Sequence, residues 1–229
     1  MTYIAFLRGI NVGGNHKVPM ADLRNKMTDW GYENVKTILN SGNVVFDLQQ
    51  DSKNVVDFLA TNPSPHPSPS RVEGETLIQK KNTLSNDNSL SPTRERVGVR
   101  GEFSINLPTI EATLEAQLSE AFGFQIPVIL RSKDDISVLV KDNPFDQIEM
   151  HTDLRLYVSF LKTEPNVSIS LPYISDDSSF QILEVRNSDV VSMLDVSKGK
   201  TVNGMNDLEK LFGKNITTRN WNTIIKVLQ

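Results

Sequence analysis

Cysteine is absent from the chain. That excludes disulfides, thiol nucleophiles and cysteine-ligated metals, and leaves the compartment open. Histidine is scarce, with three residues, of which only His16 and His151 lie outside a proline-rich tract. Neither belongs to HExxH or another ligand spacing, so no metal site and no cofactor is expected. A GxSxG elbow is missing, which removes the α/β-hydrolase signal. No run approaches the roughly 18 apolar residues of a membrane span. The opening MTYIAFLRGINVGG has neither the basic start nor the long apolar segment of a secretory signal, so a cytoplasmic protein without a membrane partner is expected. Positive charge is not in excess: 24 Lys and Arg stand against 28 Asp and Glu, for a net charge of −4 and a pI near 5.5. A surface coated for nucleic acid is thereby disfavoured, and room is left only for a local basic patch.

What is present is an ordinary globular composition, 38% hydrophobic and 23% charged over 229 residues, enough for one large domain or two small ones. Tyr3 to Arg8 reads as a strand. A helix follows from Pro19, with Met20, Leu23, Met27 and Trp30 at helical spacing and Gly31 as its stop. Two β-rich runs flank Asn40-Ser41-Gly42-Asn43, the mark of a hairpin. A second helix begins at DSKNVVDFLA, capped by Asp51 or Ser52, and is interrupted. From about Asn62 to Leu107 the chain is Pro- and Ser-rich without amphipathic period, and reads as a mostly disordered insertion. Its SPHPSPSRVEGE and SLSPTRERVGVRG resemble peptides read through short palindromic repeats of bacterial DNA; the alternative is a proline-rich docking tract. The helical pattern resumes with Ile110, Leu114, Leu118 and Phe122 and ends at Gly123. IPVILRS is a buried strand.

Residues 1–132 thus read β-α-β-β-α-β, a ferredoxin-like unit. Residues 133–229 read as a second, smaller α+β unit. It has a short helix in KDDISVLVKDNPF, a strand in LRLYVSFLKT, and two strands about Asn187-Ser188-Asp189. A helix at NDLEKLFG is capped by Asn206 or Asp207, and a last helix is capped by Thr217 or Thr218. The order echoes the first unit without a residue-level repeat.

In a βαββαβ unit the β1–α1 loop, the β2–β3 turn and the loop before β4 leave one end of the sheet. Arg8, Asn11, Gly13, Gly14, His16 and Lys17 should therefore gather near Asn40, Ser41 and Asn43. Glycine-freed amides with Arg and Lys would form an anion pocket. The loop is neither GxxxxGK[ST] nor GxGxxG, and its asparagines can equally bond their own turns. The C-terminal TTRNW offers Thr218, Arg219 and Asn220 at a helix N-terminus, where an Arg opposes the dipole and needs a compensating partner. Asp134-Asp135 and Asp176-Asp177 read as caps and turns.

LRGINVGGNHKVPM, NSGNVVF, AFGFQIPVILRS, NPF and TTRNWNTIIKV, in this order, closely resemble the DUF1697 family, mostly bacterial proteins of unknown function. The likeness spans almost the whole chain except the insertion, which separates Leu59 from Ile110. It implies an α+β fold with ferredoxin-like parts. It marks Arg8, Gly9, Asn11, Gly13, Gly14 and Lys17 as signature positions, with Asn40, Ser41, Gly42 and Asn43 in the turn and Thr218, Arg219, Asn220 and Trp221 near the end. The family implies no activity. The expectation is a binding module for a phosphate-bearing ligand, a nucleotide or the end of a nucleic acid. The alternatives are an enzyme on a small anionic substrate, using Arg8 with Ser41 or His16, and a structural or interaction protein with no ligand.

Overall fold

The computed structural model describes residues 1–14, 16–48 and 106–229. The helix expected from Asp51 or Ser52 and the insertion, up to residue 105, lie outside the described residues. The first sheet is built from β1 (Thr2–Leu7), β2 (Glu33–Ile38), β3 (Asn43–Asp47) and β4 (Val128–Ser132), and the first two helices are α1 (Met20–Asp29) and α2 (Leu107–Phe122). The strand order is β2-β3-β1-β4 and every neighbour is antiparallel, which is the split βαβ arrangement.

Local chemistry explains the elements. Pro19 precedes α1 in extended conformation, and Leu23 and Met27 bury its inner stripe. Asn106 caps α2 by accepting from Thr109 N, Gly123 closes it in the left-handed region, and Ile110, Leu114 and Leu118 are buried. That helix starts at Leu107, ahead of Ile110 where the helical pattern resumes, because the cap is Asn106. Its carboxylates also finish the sheet. Glu115 accepts from Val128 N and Glu111 from Leu130 N, both at 2.8 Å, so the outer amides of edge strand β4 are not left open.

The second sheet holds β5 (Leu154–Leu161), β6 (Tyr173–Ile174), β7 (Phe180–Arg186), β8 (Asp189–Asp195) and β9 (Ile216–Asn220) in the order β6-β7-β8-β5-β9. The helices here are α3 (Lys133–Asp142), α4 (Thr201–Phe212) and α5 (Trp221–Lys226). Two expectations are corrected. Helix α4 begins at Thr201, ahead of Asn206 and Asp207, with Lys200 preceding it and no side-chain cap. Ile216–Asn220 is a strand paired with β5, not a helix start, so Thr217 and Thr218 cap nothing.

One face of the first sheet carries Ile4, Phe6, Val45 and Ile129. These join Leu156, Val158, Phe160 and Val191 of the second sheet, with Ile136 and Leu139 of α3 and Trp221 and Ile224 of α5, in one apolar core. The far face of the second sheet packs Leu161, Phe180, Val190 and Leu194 with Leu208 of α4. Both sheets fall in one compact unit. No helix among the described residues is long and apolar enough to cross a membrane.

Candidate functional site

Strand β1 leaves its sheet between two anchors. Leu7 N donates to Gly42 O at 2.7 Å and Arg8 N to Pro127 O at 2.9 Å. The β1–α1 loop, the β2–β3 turn and the loop before β4 therefore meet at one end, as the topology required.

Asn11 then folds the β1–α1 loop back on itself. Its backbone sits at φ 55°, its Oδ1 accepts from Val18 N at 2.8 Å, and its Nδ2 donates to Val18 O at 3.0 Å and Asn40 O at 2.9 Å. Asn11 N donates to His16 O at 3.1 Å. One side chain thus closes the loop and ties it to the hairpin turn. The tip beyond this clasp is open. Val12 is 70% exposed, and Gly13 and Gly14 have positive φ with free space around them. Their amides make no hydrogen bond among the described residues, and exposed Lys17 has no partner there. The His16 ring stacks on Phe124 with centroids 4.5 Å apart.

The turn is built for close approach. Gly42 has φ 77°, and a Cβ there would lie 2.8 Å from Leu7 Cβ and 2.9 Å from Ile10 Cδ1. Asn43 is wholly buried and donates to Ile38 O at 2.9 Å and Ser41 Oγ at 3.0 Å. Its Oδ1 accepts from Arg219 Nε at 2.5 Å.

Arg219 arrives from β9 and is 8% exposed. One terminal nitrogen donates to Thr217 Oγ1 at 2.7 Å and Thr218 O at 2.9 Å. The other reaches Leu7 O at 2.6 Å, Ser41 O at 3.2 Å and Gly42 O at 3.4 Å. The guanidinium lies 5.6 Å from the centre of the Phe6 ring. Burial pulls its pKa down to about 10, still far above neutrality, so it stays charged with neutral acceptors around it. The compensating partner that the helix reading called for is this ring of carbonyls. Its donors are spent inside the protein.

The remaining expected residues divide. Arg8 joins the same end but is held by Glu209 of α4 at 2.5 Å. Ser41 and Asn40 are exposed at the turn. Thr218 bonds Ser159 Oγ at 2.7 Å, and Asn220 caps α5 by accepting from Asn222 N at 3.0 Å; neither bonds the loop. Asp135 N is capped by Ser132 Oγ at 3.0 Å, and Asp177 accepts from Ser175 and Ser179, so these acids serve caps and turns. Glu209 and Phe124 were not anticipated. Glu209 lies in no family motif, Phe124 lies within AFGFQIPVILRS without any sign that it faces His16, and both reach the loop from elements remote in sequence. No group of His, Asp or Glu among the described residues has a metal-binding arrangement.

A family model described as "Protein of unknown function (DUF1697)" matches residues 1–62 and 104–183 and passes over the stretch between. The TTRNW segment lies beyond the matched residues. No curated protein matches the chain. Among solved structures, the conserved bacterial protein SP0830 from Streptococcus pneumoniae aligns over 100% of this chain and 97% of its own, with a TM-score of 0.55 and 20% identity. That likeness concerns the fold.

Proposed function

For a chain that belongs to the DUF1697 family, we propose a binding role: the β1–α1 loop holds a small phosphate-bearing ligand, with a nucleotide as the favoured class. The observation that carries this reading is the contrast between base and tip. Asn11, Asn43 and Arg219 spend their polar groups on bracing the loop. Gly13, Gly14 and Lys17 are exposed, and theirs have no partner among the described residues. Unpaired amides beside a cation, on a braced frame, suit an anion and lose little entropy on binding it. Arg8 can turn a donor toward the same ligand while keeping Glu209. The reading is of a bacterial, cytoplasmic protein, and a net charge of −4 favours a small ligand over an extended nucleic acid.

The enzyme alternative has less behind it. His16 is stacked on Phe124 and Ser41 Oγ accepts from Asn43, and among the described residues no base is bonded to the serine. A melting screen with nucleotides, phosphosugars and short RNA or DNA tests the proposal. Saturation at 100 times Kd stabilises by about 2.7 kcal/mol. A shift that disappears in Lys17→Ala supports the loop as the site; a flat screen on a well-folded protein overturns it.

A further inference from the structure

Arg131 on β4 does at the second sheet what Arg219 on β9 does at the first. Its Nε donates to Asp189 Oδ1 at 2.9 Å, and one terminal nitrogen donates to the carbonyl of its own preceding residue, Leu130, at 2.8 Å. The other donates to Leu161 O at 2.9 Å and to the turn carbonyl Ser188 O at 3.0 Å. Arg219 uses the same three nitrogens on Asn43 Oδ1, on the preceding carbonyl of Thr218, and on Leu7 O with the turn carbonyls of Ser41 and Gly42.

The registers agree residue by residue. Asn43 stands opposite Phe6, and Asp189 opposite Phe160. Arg131 stands opposite Ile4, two residues before Phe6, and Arg219 opposite Val158, two before Phe160. Leu7 N donates to Gly42 O and Leu161 N to Ser188 O, each at 2.7 Å, while Arg8 N bonds Pro127 O and Lys162 N bonds Asn215 O. Arg131 lies 5.3 Å from the centre of Phe160, and the Phe6 and Phe160 rings stack on each other at 4.2 Å. Each arginine strand runs straight into a capped helix, through Ser132 to α3 and Asn220 to α5. Ion pairs cross in both directions: Arg8 with Glu209, and Lys162 with Glu115.

We infer that the two halves are copies of one unit, fused in tandem and packed through a self-complementary face, each half sealing the other's hairpin end with its arginine. The partner of each half's open sheet face is thus the other copy. Reciprocity of this kind, in which residue i meets j and the equivalent j meets i, is the signature of a two-fold interface and has no cause where unrelated halves meet. Strand order supports it: apart from β6, the second sheet repeats the order of the first. The copies differ at the first crossover, which is α1 in one and the β6 segment in the other.

The test uses the full chain and reads hydrogen exchange at the Leu7 and Leu161 amides, with the Leu114 amide as an internal reference. Arg219→Lys keeps the charge and loses the fork. It is expected to speed exchange at Leu7 by about tenfold and to leave Leu161 unchanged, and Arg131→Lys to do the reverse. Loosening of both amides alike, of neither, or of the amide in the substituted half overturns the inference.

Discussion

Arg219 Nε and Asn43 Oδ1 are joined at 2.5 Å across 176 residues of chain. Neither residue has a free polar group left, so the pair holds the end of β1 and the hairpin turn in place. Replacing Arg219 by Met strips Leu7 O, Ser41 O and Asn43 of their donor in a buried place. The expected loss is about 3 kcal/mol, or roughly 6–12 °C of melting temperature. Asn43→Ala leaves Arg219 short of an acceptor and is expected to cost about 2 kcal/mol. The double variant should lose less than the sum, because the two share one network; additive losses in thermal or urea unfolding would show that they do not.

Gly42→Ala combines positive φ with the contact to Leu7 and Ile10. Strain and overpacking together predict a loss of about 2–4 kcal/mol. Gly13→Ala has the same kind of φ and open space, so about 1–2 kcal/mol is expected. Calorimetric melting of both variants checks the ranking, and equal losses would refute the close approach as the cause.

Much of this was legible in the sequence. Strand β1, helix α1, the hairpin and α2 follow from apolar spacing and from glycine and asparagine at the right places. What escaped was decided at a distance. Ile216–Asn220 has β-branched residues, but the helical period of Trp221 and Ile224 begins beside it, and only pairing with β5 settles the matter. The onset of α4 was hidden because Gly204 reads as a breaker. There a Cβ would lie 2.7 Å from Phe180 Cδ2, so the glycine permits helix and sheet to touch. The signature residues were visible as a set. Their division into braces and free groups was not, because a brace is defined by its partners: Glu209 stands in no motif, and nothing in TTRNW shows that Thr217 holds Arg219.

Lys17 is the cleanest probe of that division. It is exposed and unpaired among the described residues, so Lys17→Ala is expected to leave stability within about 0.5 kcal/mol. Any ligand-induced rise in melting temperature should fall away in the same variant. A retained rise would move the site off the loop tip.

Glu111 predicts a pH dependence of definite sign. Burial raises its pKa above the ordinary 4.5, against the opposing pull of the Leu130 amide and of Lys162 and Arg131. A carboxyl with a raised folded pKa binds its proton more tightly in the native state. Its contribution is therefore favourable at low pH and is lost as pH climbs from the unfolded value through the folded one. Glu111→Gln keeps an oxygen to accept from Leu130 N and cannot ionise. The variant should gain on the parent as pH rises above about 4.5 and level off once Glu111 is ionised in both states. Asp177 acts in the opposite direction. Hydrogen bonds from Ser179 and Ser175 hold its pKa below 3.8, so its contribution is present above that value and fades only in stronger acid. Asp177→Asn should therefore lose on the parent as pH rises through strong acid to about 3.8, in a window below the Glu111 change. Melting curves of the two variants from pH 2 to 8 separate the effects, and a Glu111→Gln difference that is flat across pH would show that Glu111 does not titrate differently on folding.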